Sequence, residues 1–410
     1  MKILVAHNFY QFQGGEDTVF ASEKSLLVNF GHEVVEYVRH NKDIAKWNLL
    51  NYPTLPLRTV WNWETYTEVK EILLTYKPDI AHFHNTFPLI SPSVYAACWE
   101  CNVPVVQSLH NSRLICPSGA LYSRGGYCQA CVGKAFAWTG VARGCYRGSR
   151  LQTGLVAAMT SLHGVRGTWS ETVSRYIVFN RFFQEKFTEA GLPTAKLAIK
   201  PHFLDDPGPS TGERRYVLYV GRLSEQKGLR TLLEAWKSLP HIPLKICGDG
   251  ELELFVRDAI SQRGNDIQLI PFSPRDAVMQ LMKGAAFLMW PSEITETFGL
   301  VALEAFACGT PVISSGVGAM PDLVAEGETG LNFRAGDPEA LARCAKWAWD
   351  HPAELRTMGR SARRKYELLY TPERNHDRLI EIYKEAMEQR EVDAKATSYR
   401  HLKVESQVNG

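Results

Sequence analysis

The sequence lacks any uninterrupted run of about 18 apolar residues, the length that a membrane-spanning helix needs. Its first residues also lack the small-residue cleavage site of a signal peptide, and residues 1–6 have instead the short apolar pattern of a buried strand. We therefore expect a cytoplasmic protein. Any membrane contact must be peripheral, at the inner face of the membrane.

Acidic residues are absent from residues 101–170, although the whole chain has a net charge of only +2. This stretch carries seven cations, which are Arg113, Arg124, Lys134, Arg143, Arg147, Arg150 and Arg166. A basic block interspersed with aromatic residues can face an anionic membrane or a phosphate-bearing acceptor. A merely solvated basic surface is the alternative.

No solenoid-type repeat is visible, and 410 residues are too many for one hydrophobic core. The composition, 45% hydrophobic and 22% charged, is typical of soluble globular domains. A stretch rich in Pro and Gly, residues 205–210, is the natural linker between two halves. We predict domains at 1–204 and 205–373, a final helix at 374–391 that crosses back to the first half, and a loose polar tail at 392–410.

Short apolar runs alternate with amphipathic helical patterns in both halves. The predicted strands are residues 3–6, 33–38, 80–83 and 105–108 in the first half, and 216–220, 244–247, 267–270, 286–290 and 312–314 in the second. Alternating strands and helices predict two doubly wound α/β domains. Ligands bind beyond the carboxyl ends of such strands, so two facing sheets form one cleft.

The sharpest motif has two glutamates eight positions apart, Glu296 and Glu304, on either side of a strand-to-helix junction. Phe298, Gly299 and Leu300 open the helix that carries Glu304. The free N–H groups and positive dipole at such a helix start bind anions. A phosphate or a partly negative sugar oxygen fits there.

A second motif, G-R-L-S-E-Q-K-G, follows the first strand of the second half and supplies Arg222 and Lys227. Arg offers a planar fork and Lys a mobile point charge, a combination suited to the diphosphate of a sugar nucleotide. Both cations would stabilise the negative charge that develops on a leaving nucleoside diphosphate.

Three weaker patterns end other strands. Gly14 and Gly15 follow the first strand and allow close backbone approach to a ligand, although a glycine pair alone is more often a simple turn. Gly248 and Asp249 are placed to lie beside a nucleoside. His110 ends the fourth strand of the first half, where a lone histidine is more often structural.

Together these residues resemble the family 4 retaining glycosyltransferases, of the group 1 type, over almost the whole chain. The resemblance implies the GT-B architecture, in which two Rossmann-like domains face a central cleft. It assigns Arg222 and Lys227 to the donor pyrophosphate, Glu296 and His110 to the donor sugar, and Glu304 to the ribose. Gly14 and Gly15 match the family's glycine loop.

The resemblance further implies transfer of a sugar from a nucleoside diphosphate sugar to an acceptor hydroxyl, with retention of anomeric configuration. The donor phosphate would help to deprotonate the acceptor, so neither a carboxylate nucleophile nor a catalytic metal is expected. We expect a glycan or lipid-linked acceptor in bacterial surface polysaccharide or glycolipid assembly, and no nucleic-acid partner.

Two other classes of function remain open at this stage. A non-hydrolysing sugar-nucleotide epimerase has the same architecture and isomerises the donor without an acceptor. A zinc-stabilised binding protein without catalysis is the third class. The two motifs favour transfer, and product analysis without acceptor separates the first two classes.

Nine cysteines argue against a disulfide framework in a cytoplasmic protein. Four of them, Cys116, Cys128, Cys131 and Cys145, fall in one loop-rich insertion at about residues 112–150. Four thiolates match the stoichiometry of a structural zinc site, which would stabilise a loop that has no core of its own. Four free thiols or an iron–sulfur cluster are the alternatives. Cys98 and Cys101 have similar spacing but fall in a helical pattern, which favours a core position.

Overall fold

A computed structural model describes the chain except residues 12–13, 47–53, 263–265 and 409–410; of residues 45–46 and 394–408 it describes the backbone alone. The first half contains β1 (Lys2–Phe9), α1 (Gly15–Asn29), β2 (Glu33–His40), α2 (Leu55–Val60), α3 (Trp63–Tyr76), β3 (Ile80–Asn85), α4 (Ser93–Glu100), β4 (Val105–Ser108), β5 (Tyr122–Ser123), β6 (Gly126–Tyr127), α5 (Trp138–Arg143), α6 (Arg150–Val165), β7 (Arg175–Val178), α7 (Arg181–Glu189) and β8 (Leu197–Ile199).

The second half contains β9 (Tyr216–Val220), α8 (Leu229–Ala235), β10 (Leu244–Cys247), α9 (Glu253–Ser261), β11 (Ile267–Ile270), α10 (Arg275–Gly284), β12 (Ala285–Trp290), α11 (Leu300–Ala307), β13 (Val312–Ser314), α12 (Met320–Leu323), β14 (Gly330–Asn332), α13 (Pro338–Asp350) and α14 (Pro352–Leu369). A last helix, α15, spans Pro372–Val408.

Each half is built on a parallel six-stranded sheet, with strand order β2-β1-β3-β4-β7-β8 in the first and β11-β10-β9-β12-β13-β14 in the second. The central strands are almost completely buried, because helices cover both faces of a parallel sheet. The predicted fold class, two doubly wound α/β domains in the GT-B arrangement, is confirmed.

The strand order places a topological switch point between β1 and β3 in the first half and between β9 and β12 in the second. Ligands bind at the carboxyl ends of strands at such points, because the connections on either side run in opposite directions and leave a crevice. The loops after β9 and β12 carry the two sharpest sequence motifs.

One hydrophobic cluster joins the two halves, since it contains Ile3 and Phe20 of the first together with Trp290 and Phe298 of the second. A second cluster lies entirely on the other face of the first sheet except for Ala319, and it includes Cys98. The shared cluster forms the floor beneath the cleft.

Helix α15 packs against the first half. Asn375 Nδ2 donates to the carbonyl of Pro201 at 2.6 Å, the Tyr383 hydroxyl lies 2.8 Å from Nδ1 of His82, and Arg390 stacks on Trp99. In place of the loose tail predicted from residue 392, the helix continues to Val408. Residues 392–408 contain no Gly or Pro and several good helix formers, so nothing in the sequence ends the helix. Within the described residues, no helix is long and apolar enough to cross a membrane.

Candidate active site

A cavity of about 360 Å³ lies between the carboxyl ends of the two sheets. Eight residues predicted for the site line it, namely Gly15, His110, Arg222, Lys227, Glu296, Phe298, Gly299 and Leu300. Because the two halves contribute side chains from opposite walls, a ligand held here contacts both domains.

Lys227 and Glu296 form an ion pair on the second-half wall of this cavity. Glu296 also accepts a hydrogen bond from Ser292 Oγ at 2.9 Å, and Ser292 lies two residues after the end of β12. The pair brings together the G-R-L-S-E-Q-K-G loop and the first glutamate of the paired-glutamate motif. An anionic ligand can compete with Glu296 for the Lys227 ammonium.

Arg222 lies on the same wall and is exposed. Within the part of the chain that the structure describes, its guanidinium has no carboxylate within ion-pair distance. A cation without a counter-ion at the rim of a concave site attracts anions, and the planar guanidinium matches the oxygens of a phosphate.

The N-terminus of α11 points into the cavity between these cations. Gly299 adopts φ +98° just before the helix, and a Cβ atom there would lie 2.2 Å from the ring of Trp290. Only glycine fits both the backbone angle and the space. The first backbone N–H groups of a helix have no intrahelical partner, so α11 adds donors and a positive dipole end to the cavity.

Glu304 lies about one turn along α11 and lines a neighbouring cavity of about 290 Å³ rather than the first one. The two cavities share Val19, His202, Val220 and Leu300, so they adjoin. Burial raises the pKa of Glu304 to about 7, and Arg275, whose Nε lies 3.9 Å from the carboxylate, partly opposes this. The two glutamates of the motif therefore face two adjoining spaces.

Three other predicted site residues lie outside both cavities. The backbone N–H of Gly14 donates to Asp17 Oδ2 at 2.9 Å, which caps the start of α1. Gly248 packs so tightly on Gly221 that a Cβ atom would lie 2.0 Å from the Gly221 carbonyl oxygen. Asp249 accepts a hydrogen bond from the N–H of Leu223 at 2.6 Å through its backbone carbonyl. Gly248 and Asp249 thus support the loop that carries Arg222.

His110 is buried at the first-half wall, with Nε2 3.0 Å from Nδ1 of His84. Burial lowers its pKa well below the usual range, and the neighbouring histidines lower it further. The ring of His202 lies 5.9 Å from that of His110 and 5.0 Å from Phe298. Burial lowers the pKa of His202 to about 3, so both imidazoles are neutral.

His202 and Glu16 line the cavity but were not predicted as site residues. Glu16 accepts a hydrogen bond from Asn111 Nδ2 at 2.7 Å, and burial raises its pKa. Its other carboxylate oxygen has no partner among the described residues. Glu16 directly follows the glycine loop in the sequence, and this position could have identified it as a site residue. His202 belongs to no recognisable motif.

The four cysteines of the insertion surround a small cavity of about 10 Å³. Burial raises the pKa of Cys131, and the three other cysteines add to this effect, which shows that all four are near one another. Arg143 donates to Cys128 Sγ at 3.4 Å, and Cys116 Sγ lies 3.1 Å from Ser118 Oγ. No three of these thiols have sulfurs within 4.8 Å of one another.

A second notable surface lies on α5, α6 and the loops of the insertion. Six of the seven cations of residues 101–170 are exposed, all except Arg113, and none of the six is ion-paired in the described part of the chain. Exposed apolar side chains accompany them: Trp138 is 71% exposed, Leu151 85% and Val165 90%. On α6, Leu151, Leu162 and Val165 fall on one face at helical spacing. We call this the basic apolar face.

Residues 203–365 match the model of the family described as glycosyl transferases group 1, so this part of the chain has the predicted group 1 character. A D-rhamnosyltransferase of Pseudomonas aeruginosa, WbpZ, is 31% identical over 206 residues, which are 49% of this chain and 52% of that protein. The chain spans about half or less of the length of the curated relatives it matches.

Solved structures share the fold over nearly the whole chain. HepE of Anabaena, in complex with UDP, matches with a TM-score of 0.65 at 17% identity, covering 93% of this chain and 99% of that one. Sucrose-phosphate synthase of Thermosynechococcus elongatus matches with a TM-score of 0.68 at 18% identity, covering 94% and 98%. At these identities the likeness concerns the fold.

Proposed function

We propose that this chain, in which residues 203–365 form a glycosyl transferases group 1 domain, moves a sugar from a nucleoside diphosphate sugar to an acceptor hydroxyl. The observation that carries the proposal is the convergence of Arg222, Lys227 and the α11 N-terminus on one interdomain cavity. These groups concentrate positive charge and N–H donors on one wall of the cavity, as binding of a diphosphate requires.

In the proposed complex the diphosphate lies between Arg222, Lys227 and the α11 N-terminus. The nucleoside then occupies the adjoining cavity, where Glu304 can accept hydrogen bonds from ribose hydroxyls. The sugar lies towards the first half, near Glu296 and His110. Uridine is the base that we propose, because HepE, which shares the fold, is solved with UDP and with UDP-glucose.

The chemistry follows from this placement. As the bond between the sugar and the phosphate breaks, negative charge builds on the leaving diphosphate, and the preorganised cations stabilise it. We propose that the acceptor attacks from the same side as the departing phosphate, whose oxygen takes the proton from the acceptor hydroxyl. The sugar then keeps its anomeric configuration. Lys227 exchanges Glu296 for the diphosphate when the donor binds, which leaves the carboxylate of Glu296 available to a sugar hydroxyl.

The acceptor we propose is lipid-linked and is met at the surface of a membrane, as in the assembly of bacterial surface polysaccharides. The basic apolar face supports this proposal, because unpaired arginines attract anionic headgroups and exposed Trp138, Leu151 and Val165 can insert between them. Part of this face, including Trp138 and Arg143, belongs to the insertion that begins just after His110, a residue of the active-site cavity.

We also propose that Cys116, Cys128, Cys131 and Cys145 hold a structural zinc ion. The support is a small cavity lined by all four thiols, in a segment whose regular structure is limited to one short hairpin and a short helix. Zinc–sulfur bonds of about 2.3 Å put the sulfurs of a tetrahedral site about 3.8 Å apart, so the thiols would move closer together on binding.

The proposed activity is tested by incubating the purified chain with UDP-sugars and GDP-sugars, with and without a membrane extract that supplies lipid-linked acceptors. Transfer predicts release of the nucleoside diphosphate and a labelled product only when the extract is present. A sugar nucleotide that isomerises without acceptor would instead identify an epimerase. An anomeric proton coupling in the product that matches the donor's would support retention.

A further inference from the structure

A line of buried polar groups leads from the active-site cavity into the first half. His110 Nε2 lies 3.0 Å from His84 Nδ1, and the other ring nitrogen of His84 lies 3.3 Å from Glu23 Oε1. The second oxygen of Glu23 accepts from the Lys200 ammonium at 2.6 Å. Lys200 in turn donates to Asn375 Oδ1 of α15 at 3.0 Å. All five side chains are buried.

The charge state of Glu23 is set by its surroundings. Burial alone would protonate the carboxyl, but the Lys200 ammonium and the nearby histidines outweigh it and hold the pKa of Glu23 well below its usual range. Burial lowers the pKa of His84 as well, which keeps that imidazole neutral. A neutral imidazole has one N–H and one lone pair, whereas an ionised carboxylate can only accept.

These facts determine where the protons lie. Glu23 Oε1 is buried and has no well-aligned donor among the described residues; the ring nitrogens nearest to it are His82 Nδ1 at 3.2 Å and His84 Nε2 at 3.3 Å. A lone pair on His84 Nε2 would lie 3.3 Å from the carboxylate and be repelled, which favours a proton on Nε2. Nδ1 of His84 then carries the lone pair, and the hydrogen bond to His110 must come from His110 Nε2–H.

We propose that Glu23 and His84 are positioning residues that fix His110 as its Nε2–H tautomer and so leave Nδ1 of His110 as a hydrogen-bond acceptor at the active-site cavity. Nδ1 of His110 has no hydrogen-bond partner in the described part of the chain. It also does not belong to the fully buried polar atoms of that part that lack a partner, so it is accessible from a cavity. Of the two ring nitrogens of His110, Nδ1 is therefore the one left to bind a hydroxyl group.

The role of this tautomer rests on the proposed function. An Nδ1 lone pair accepts a hydrogen bond from a hydroxyl of the donor sugar or of the acceptor, whereas an Nδ1–H could only donate one. Neutral imidazole is suited to this task, because an imidazolium would compete with Arg222 and Lys227 for the diphosphate. Glu23 and His84 thus favour a hydroxyl-bearing ligand through the His110 tautomer.

Glu23, His82 and His84 also have ligand atoms within 4.8 Å of one another, a spacing compatible with a bound cation. The Lys200 ammonium already occupies the second oxygen of the same carboxylate and would repel a metal ion. A proton on His84 Nε2 would likewise exclude metal ligation at that atom.

The direct test is nitrogen NMR of the full-length chain with ¹⁵N-labelled histidine rings, recorded without substrate. Long-range proton–nitrogen correlations distinguish a protonated ring nitrogen from a bare one, and the His110 signals are assigned by their loss in His110→Gln. We expect His110 protonated on Nε2. A wild-type His110 protonated on Nδ1, or on both nitrogens at neutral pH, would overturn the proposal, and this result needs no variant of Glu23.

Glu23→Gln provides the perturbation. The Lys200 ammonium can only donate, so it hydrogen-bonds the amide oxygen of the new side chain in the Glu23→Gln variant. The amide NH₂ group then faces His84 Nε2, and because it too is a donor, Nε2 must carry the lone pair. His84 must donate from Nδ1, and His110 must move its proton to Nδ1. His82→Gln, which removes the other histidine facing Glu23, is the control and should leave the His110 tautomer unchanged. An unchanged tautomer in a folded Glu23→Gln protein, checked by circular dichroism, would contradict the proposal.

Turnover gives an independent readout. With the nucleoside diphosphate sugar that the transfer assay identifies, Glu23→Gln should lower kcat/KM at least tenfold in the wild-type background and by less than twofold in a His110→Ala background. Equal losses in both backgrounds would mean that Glu23 does not act through His110. Absence of transfer by the wild-type chain, with the Nε2–H tautomer observed, would instead count against the proposed function alone.

Discussion

Replacing Glu304 by Gln should stabilise the protein at alkaline pH while weakening its binding of nucleotides. Burial raises the pKa of this carboxyl from 4.5 to about 7. The folded state therefore holds a proton that the unfolded state has released between these two values. By proton linkage the free energy of unfolding then falls as pH rises through that window, and the loss is complete above about pH 8.

The size of this loss in unfolding free energy follows from the pKa shift of Glu304. A rise of about 2.5 pKa units, at about 1.4 kcal/mol per unit, corresponds to roughly 3 kcal/mol. One fifth of the Glu304 side chain is exposed, so this figure is an upper limit. For a domain the size of the second half, about 1 kcal/mol moves the melting temperature by roughly 2–4 °C. Glu304→Gln should therefore melt several degrees above wild type at pH 8 and close to it at pH 5.

The assay is thermal unfolding at both pH values, with calorimetric binding of UDP to each folded protein. Loss of a charged acceptor of ribose hydroxyls should weaken UDP about tenfold or more, because hydrogen bonds to charged groups contribute about 1.5–3 kcal/mol. Glu388→Gln, at an exposed position of α15, is the matched control and should change neither property. A Glu304→Gln protein that melts below wild type at pH 8, or that is stabilised equally at both pH values, would refute the reasoning.

Four further outcomes are expected. Lys227→Met removes a cation that is paired with Glu296, so calorimetry should show at least a tenfold loss of affinity for UDP but little change for uridine; equal losses would place Lys227 away from the diphosphate. Gly299→Ala forces a side chain into positive φ and against Trp290. It should lower the melting temperature more than the control Gly336→Ala, where φ is +70° but nothing lies within 4 Å of the added Cβ atom. Equal losses of melting temperature would show that the Trp290 contact is unimportant. Metal analysis should find one zinc ion per chain in the wild type and in Cys98→Ser, and none in a Cys128→Ser, Cys131→Ser variant; metal retained by that variant would remove the zinc proposal. Vesicles rich in phosphatidylglycerol should bind the wild type and the control variant Arg356→Ser. They should not bind an Arg143→Ser, Arg147→Ser double variant or a Leu151→Ser, Val165→Ser double variant. If both double variants sediment with vesicles as the wild type does, the basic apolar face is not the membrane contact.

The sequence was sufficient for the fold and for most of the cavity because both depend on local patterns. Alternating buried strands and helices set the two sheets, and parallel strands all direct their carboxyl ends to one edge. Arg222 follows β9 and Glu296 follows β12, so neighbouring strands bring these loops together although the two residues are 74 positions apart. The motif residues meet because strand order brings them together.

The remaining features of the site depend on contacts between residues far apart in the chain, which leave no local sequence pattern. His202 reaches the cavity from the segment between the halves, and Lys200 meets Glu23 across 177 positions. Gly248 and Asp249 end a strand as predicted, but close packing on Gly221 turns them into supports for the neighbouring loop. The continuation of α15 beyond residue 392 follows helix propensity, whereas the prediction of a tail followed the loss of apolar periodicity.

The central claim is that Arg222, Lys227 and the α11 N-terminus form a binding site for the diphosphate of a nucleotide sugar. The most direct measurement is calorimetric titration of the intact chain and of an Arg222→Ala, Lys227→Ala variant with UDP, GDP, ADP and their glucose conjugates. The account predicts that the intact chain binds one base selectively and that the folded variant loses this binding. No binding by the intact chain, or undiminished binding by the variant, would contradict it.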